Sequence, residues 1–120
     1  MAVRAVKVTK LGDGTIELKW EGLLNGDTGA WAHFARYPDK TMQVIGTFSI
    51  GGTCTLEGSN DAGTTAGAVH DAQGAAIAPS VGATENDVAV LAESPQALRP
   101  NITAGDGSTD VDCIILCVIK

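Results

Sequence analysis

Two histidines, three cysteines and one run of alternating oxygen-bearing residues are the side chains best suited to chemistry in this sequence. His33 and His70 have no ligand spacing with each other, and each sits among polar or small residues. They read as solvated loop or strand histidines. Cys54, Cys113 and Cys117 form no metal or redox motif. On one strand, Cys113 and Cys117 would stand roughly 13 Å apart, too far to bond, so the thiols are expected to be reduced and buried. Asp106, Ser108, Asp110 and Asp112 alternate in the manner of cation ligands. An EF-hand needs a glycine and a glutamate where this run places Val111 and Cys117, and the run leads into a strand. A turn with solvated carboxylates is the expectation. No serine stands in a nucleophile elbow, and Gly51-Gly52 lacks the lysine and helix of a phosphate loop. Sugar chemistry would need aromatic platforms, for which Trp20, Trp31 and Tyr37 are the candidates. No catalytic residue, metal or cofactor is therefore expected.

The elements that would position any site alternate with period two. Ile16, Leu18 and Trp20 face one way, and Thr15, Glu17, Lys19 and Glu21 the other, which defines a half-buried strand. Gly12-Asp13-Gly14 is a turn joining it to an earlier strand near Val3 to Leu11. Met42, Val44, Gly46 and Phe48 alternate with Thr41, Gln43, Ile45 and Thr47. Cys54 and Leu56 alternate with Thr53, Thr55 and Glu57, and Gly51-Gly52 reads as a tight hairpin between these two strands. Val88, Val90 and Ala92 begin a further strand. Leu98 to Thr103 forms another, whose Pro100 suggests an edge or a bulge. Gly105-Asp106-Gly107-Ser108 turns the chain into a final strand, Thr109 to Lys120. A weak helical pattern covers Ala30 to Tyr37. Ser59 to Gly82 is a long excursion, rich in glycine and alanine, with one hairpin near Gln73-Gly74. The fold class is all-β, an antiparallel sandwich of about seven to nine strands in a single domain spanning residues 1–120.

The last strand departs from the usual alternation. Val111, Cys113, Ile115, Cys117 and Ile119 form one face, and after Asp112 the opposite face, Ile114, Leu116 and Val118, is apolar too. A sandwich strand ordinarily has one wet face. Either the Ala-rich excursion or a neighbouring subunit is expected to cover the second.

The totals narrow the partners. A 120-residue chain buries roughly two-thirds of its unfolded surface, enough for a core without disulfides or metals. The net charge of −6 and a pI near 4.6, with scattered basic residues, argue against nucleic acid and anionic membranes. The start, Met1 to Lys7, lacks the apolar region of a signal peptide, and no segment is apolar enough for a membrane span.

Two phrases carry a resemblance. Ile45-Gly46-Thr47-Phe48-Ser49-Ile50-Gly51-Gly52-Thr53-Cys54-Thr55-Leu56-Glu57-Gly58-Ser59-Asn60-Asp61 resembles a segment of small tailed-bacteriophage virion proteins, in which two strands around a glycine turn lead into a Ser-Asn-Asp turn. Leu98 to Asp110 resembles the ending of the same group, and the likeness covers roughly residues 42–120. Members often carry a tryptophan soon after the Ser-Asn-Asp turn, where this chain has Ala62 to Gly67. The resemblance implies a jelly-roll β-sandwich acting as a capsid decoration, or cement, protein. Such a protein is a non-enzymatic homo-oligomer on the virion exterior, assembled in the bacterial cytoplasm and bound to the major capsid protein. The expected interface residues are Arg4, Val6 and Lys7 near the amino terminus, where Arg4, Lys7 and Lys10 could arm an acidic contact, and Ile114, Leu116 and Val118 near the carboxy terminus. A tail or head-fibre component, a carbohydrate-binding sandwich using Trp31 and Tyr37, and a small hydrolase are the competing readings.

Overall fold

A computed structural model of the chain describes residues 2–48, 51–79 and 88–118. Ten strands and no helix occur among them: β1 (Val3–Arg4), β2 (Val6–Gly12), β3 (Thr15–Leu24), β4 (Thr28–Gly29), β5 (Asp39–Thr47), β6 (Thr53–Ser59), β7 (Gly67–Ala68), β8 (Val88–Val90), β9 (Ala97–Ala104) and β10 (Asp110–Val118). They form two five-stranded sheets, ordered β1-β4-β9-β6-β7 (sheet I) and β2-β3-β10-β5-β8 (sheet II).

The pairing is nested. β3 pairs with β10, β4 with β9, β5 with β8 and β6 with β7, all antiparallel. This is one long hairpin whose tip is β6–β7. Curling it brings β10 beside β5 and β9 beside β6, which divides the hairpin into two facing sheets. The strand order is that of a jelly roll, an antiparallel sandwich as the alternation predicts.

The period-two patterns place the core. Ile16, Leu18 and Trp20 of β3, Met42 and Val44 of β5, and Cys113, Ile115 and Cys117 of β10 point inward from sheet II. They meet Cys54, Leu56, Leu98 and Ile102 of sheet I. At the centre, Trp20 Nε1 donates to Ala30 O at 3.0 Å. Gly29 makes room for the ring: a Cβ there would lie 2.6 Å from the indole and 2.5 Å from Pro100 Cδ.

Five local expectations are corrected. The first strand is two, because the chain crosses at Ala5 from sheet I, where β1 runs parallel to β4, to sheet II, where β2 pairs with β3. Gly51-Gly52 is not a hairpin, since β5 and β6 lie in different sheets and the glycines carry the crossover. Ala30 to Tyr37 is not helical; Ala32 bridges to Leu98 instead. Pro100 is in an internal strand, not at an edge. The amides of Leu98 and Ile102 bond to Ala32 O and Asp27 O, and the missing proline donor falls in the gap between them.

The fifth correction concerns the excursion. Its hairpin near Gln73-Gly74 is present, closed by Gly74 N–H to Asp71 O. The excursion does not lie over β10. It runs beside β6, where Leu56 N–H donates to Ile77 O and Cys54 N–H to Pro79 O, and it inserts Val69 and Ile77 into the core. Residues 80–82 of the predicted excursion, and Ile119 and Lys120 of the predicted last strand, are outside the described residues.

Candidate interaction face

In antiparallel pairs, directly opposed residues point to the same side of the sheet. Because Met42, Val44, Cys113, Ile115 and Cys117 point inward, their neighbours Thr41, Gln43, Ile114, Leu116 and Val118 form the outer face of sheet II. Val90 stands opposite Thr41, and Val88 opposite Gln43. Ile45 stands opposite Asp112. Val88, Val90 and Ile45 are 60%, 54% and 44% exposed, while Ile114, Leu116 and Val118 are half-buried. No described strand packs over them, and Val88 and Val90 border a cleft of about 420 Å³ whose other wall is the excursion from Asp71 to Pro79.

Beyond β10 the same face becomes charged. Glu17 and Lys19 of β3 lie opposite Leu116 and Ile114, and Thr9 and Lys7 of β2 follow. Glu21 gathers Lys7 at 2.9 Å and Lys19 at 3.8 Å. The face is thus half apolar and half ionic.

The outer face of sheet I is built differently. Arg99 Nε donates to Glu57 at 2.7 Å, Asn101 Nδ2 donates to the same carboxylate at 3.1 Å, and the Thr55 and Thr103 hydroxyls meet at 3.1 Å. Polar side chains there satisfy one another beside water.

Of the six expected interface residues, Lys7, Ile114, Leu116 and Val118 share the outer face of sheet II. Val6 stands opposite Trp20 and turns toward the core. Arg4 is on sheet I, and its Nε donates to Asp27 at 2.8 Å. Ile45, Val88, Val90, Glu17 and Lys19 complete the face but were not singled out in the sequence. Their period-two placement was visible; their neighbours across the sheet were not.

The described residues contain no group of three or more His, Cys, Asp or Glu side chains able to hold a metal ion. Asp106 Oδ1 accepts from Ser108 N–H, and Asp112 Oδ1 accepts from Gly22 N–H. His70 Nδ1 lies 3.1 Å from Glu93. A cleft of about 590 Å³ holds Asp61 and Glu93. Asp61 accepts from Ser59 Oγ and Thr65 N–H, while Glu93 accepts from His70 N–H. These hydrogen bonds hold both carboxyls below the usual carboxylate range, the opposite of a poised general acid.

Of the three candidate platform aromatics, only Trp31 keeps partial exposure. Trp20 and Tyr37 are buried, and one face of Trp31 is covered by the Arg99 guanidinium, 4.4 Å from the ring centre. Burial pushes Cys117 up to about 11 and Cys113 well above the usual thiol value, so neither is an activated nucleophile.

The fold and this face define a class: a jelly-roll module that presents one polar outer surface and one that is half apolar and half ionic. Comparison of the chain with known protein families, curated proteins and solved structures finds no match.

Proposed function

We propose that this chain is a non-enzymatic virion structural protein, a decoration or cement protein of a tailed-bacteriophage capsid that works as a homo-oligomer on the particle exterior. The observation that supports this reading is the outer face of sheet II, an apolar patch over which no described strand packs, beside a charged one. Permanent interfaces are apolar at the centre with polar groups around it, and here Ile114 and Leu116 of the central strand β10 are flanked by Thr41 and Gln43 on one side and by Glu17 and Lys19 on the other. The two phrases similar to small phage virion proteins supply the biological setting. A cement protein needs a rigid body, an adhesive face and loops that meet a lattice, and the jelly roll provides the first two. The acidic surface favours protein partners over packaged DNA.

Quantitative mass spectrometry of purified particles tests this proposal. A decoration protein should be present in copy numbers of the order of the major capsid subunit. A handful of copies per particle would move it to the tail or a head fibre, and its absence would end the virion reading.

A further inference from the structure

The outer face of sheet II carries two parallel rows of side chains. One row runs Val90, Thr41, Leu116, Glu17 and Thr9 from β8 to β2. The next runs Val88, Gln43, Ile114, Lys19 and Lys7 over the same strands. Corresponding residues are two apart in the chain, about 6–7 Å at strand rise.

Consider a second copy laid face to face on the first, related by a two-fold axis that runs across the strands midway between the rows. Each strand then lies over its own copy, and each row faces the other. Leu116 meets Ile114 of the second copy, and Val90 meets Val88. Thr41 meets Gln43, which can both donate and accept. Glu17 meets Lys19, and by symmetry Lys19 meets Glu17. A two-fold axis along the strands would instead lay the valines of β8 over the charged strands. The order of charges therefore selects one of the two face-to-face arrangements.

The geometry points to an isologous homodimer formed through this face, with Glu17 and Lys19 as its reciprocal rim pairs. The inference rests on reading the face as a protein-contact surface and names a second copy of the chain as its occupant. The area is compatible. Five strands about 4.8 Å apart and the nine residues of β10 at about 3.3 Å rise span at most about 700 Å² of plane. A standard interface buries about 800 Å² per partner. Leu116 and Ile114 of β10 supply the apolar centre, Glu17, Lys19, Thr41 and Gln43 flank it with polar contacts, and Val88 and Val90 of β8 extend the apolar contact to one edge. The charges fix the register and reject other stacking directions.

Sedimentation equilibrium of the purified chain at micromolar concentration should give twice the 12.2 kDa chain mass. Glu17→Lys alone sets ammonium against ammonium in both rim pairs across the axis, and Lys19→Glu alone sets carboxylate against carboxylate. Each should raise the dissociation constant roughly tenfold or more. The two variants mixed in equal amounts should form a heterodimer, because every rim pair is then of opposite charge. The double variant should dimerise like the parent. Circular dichroism should show all of them folded, since both sites are on the surface. A monomeric parent overturns the inference. So does a dimer whose strength ignores both charge changes, or a mixture no stronger than either variant alone. A monomer that still decorates phage heads would overturn the dimer and leave the capsid reading standing. A dimer with the expected charge response that fails to bind heads would support the inference and count against the capsid reading.

Discussion

Asp27 accepts hydrogen bonds from Ala2 N–H at 2.9 Å, Arg4 Nε at 2.8 Å and Leu24 N–H at 2.9 Å. It is 3% exposed. Burial alone would raise its pKa, but the bonds from Leu24, Arg4 and Ala2 outweigh that penalty and hold the carboxyl below its ordinary value of 3.8. A carboxylate depressed in the folded state contributes stability that is present above the unfolded pKa and lost on acidification. Asp27→Ala should therefore cost about 2–3 kcal/mol at pH 7, read from urea unfolding. The difference from the parent should shrink as pH falls below about 4. A pH-independent difference would contradict this role.

Lys40 is the opposite case. It is 2% exposed, and its ammonium donates to Tyr37 O and to Ser94 Oγ, the latter at 3.0 Å. Burial lowers its pKa, so the unfolded chain binds more protons there, and stability gains from this residue as pH rises toward 10.5. Cys113 and Cys117 act in the other direction. Their raised values mean that stability is lost as pH climbs past 9, where unfolded thiols ionise. Subtracting the unfolding free energy of Lys40→Met from that of the parent isolates the lysine. The difference should move in the parent's favour between about pH 7 and pH 10, and a flat difference would show that Lys40 does not titrate this way.

At the scale of elements, β3 was the most legible, because alternation from Thr15 to Glu21 leaves one orientation that buries Ile16, Leu18 and Trp20; β10 was legible as a long strand, but with both faces apolar after Asp112 its sequence did not say which face is buried. The short strands were not legible. β1, β4 and β7 have two residues each and no periodicity; they exist because neighbours offer them hydrogen bonds. Gly51-Gly52 resembles a hairpin turn locally, and only the nesting of the whole chain turns it into a crossover. Pro100 reads as the mark of an edge or a bulge for a related reason. A missing donor is tolerated inside a sheet when the facing segment is interrupted at the same point, and sequence does not display that coincidence. Gly29 makes the packing testable. Gly29→Ala would press a methyl group against Trp20 and Pro100, and should destabilise by about 1–3 kcal/mol, as overpacking does. Thermal melting checks this, with an unchanged midpoint as the contrary result.

For the molecule as a whole, the two outer faces set its behaviour. Sheet I shows water a network of Arg99, Glu57, Asn101 and the threonines, while sheet II shows it Val88, Val90 and Ile45 beside the stripe of β10. The apolar second face of β10 was readable as a demand for cover. Its surroundings were not, because Ile45, Val88 and Val90 come from distant parts of the chain, and Ile45 alternates with residues of the core face. Nor could the sequence exclude the excursion as the cover; the bonds of Leu56 and Cys54 to Ile77 and Pro79 place it along β6 instead. Leu116→Lys changes a half-buried outer residue without touching the core, so it should leave the fold intact and weaken association, as gel filtration would show. Hydroxyl-radical footprinting of the chain on intact particles and after dissociation under denaturing conditions tests the central claim most directly. Ile114, Leu116, Val88 and Val90 should be strongly protected on the particle, while Thr55, Asn101 and Thr103 remain open. Equal modification of both faces on the particle, or protection confined to sheet I, would contradict the account.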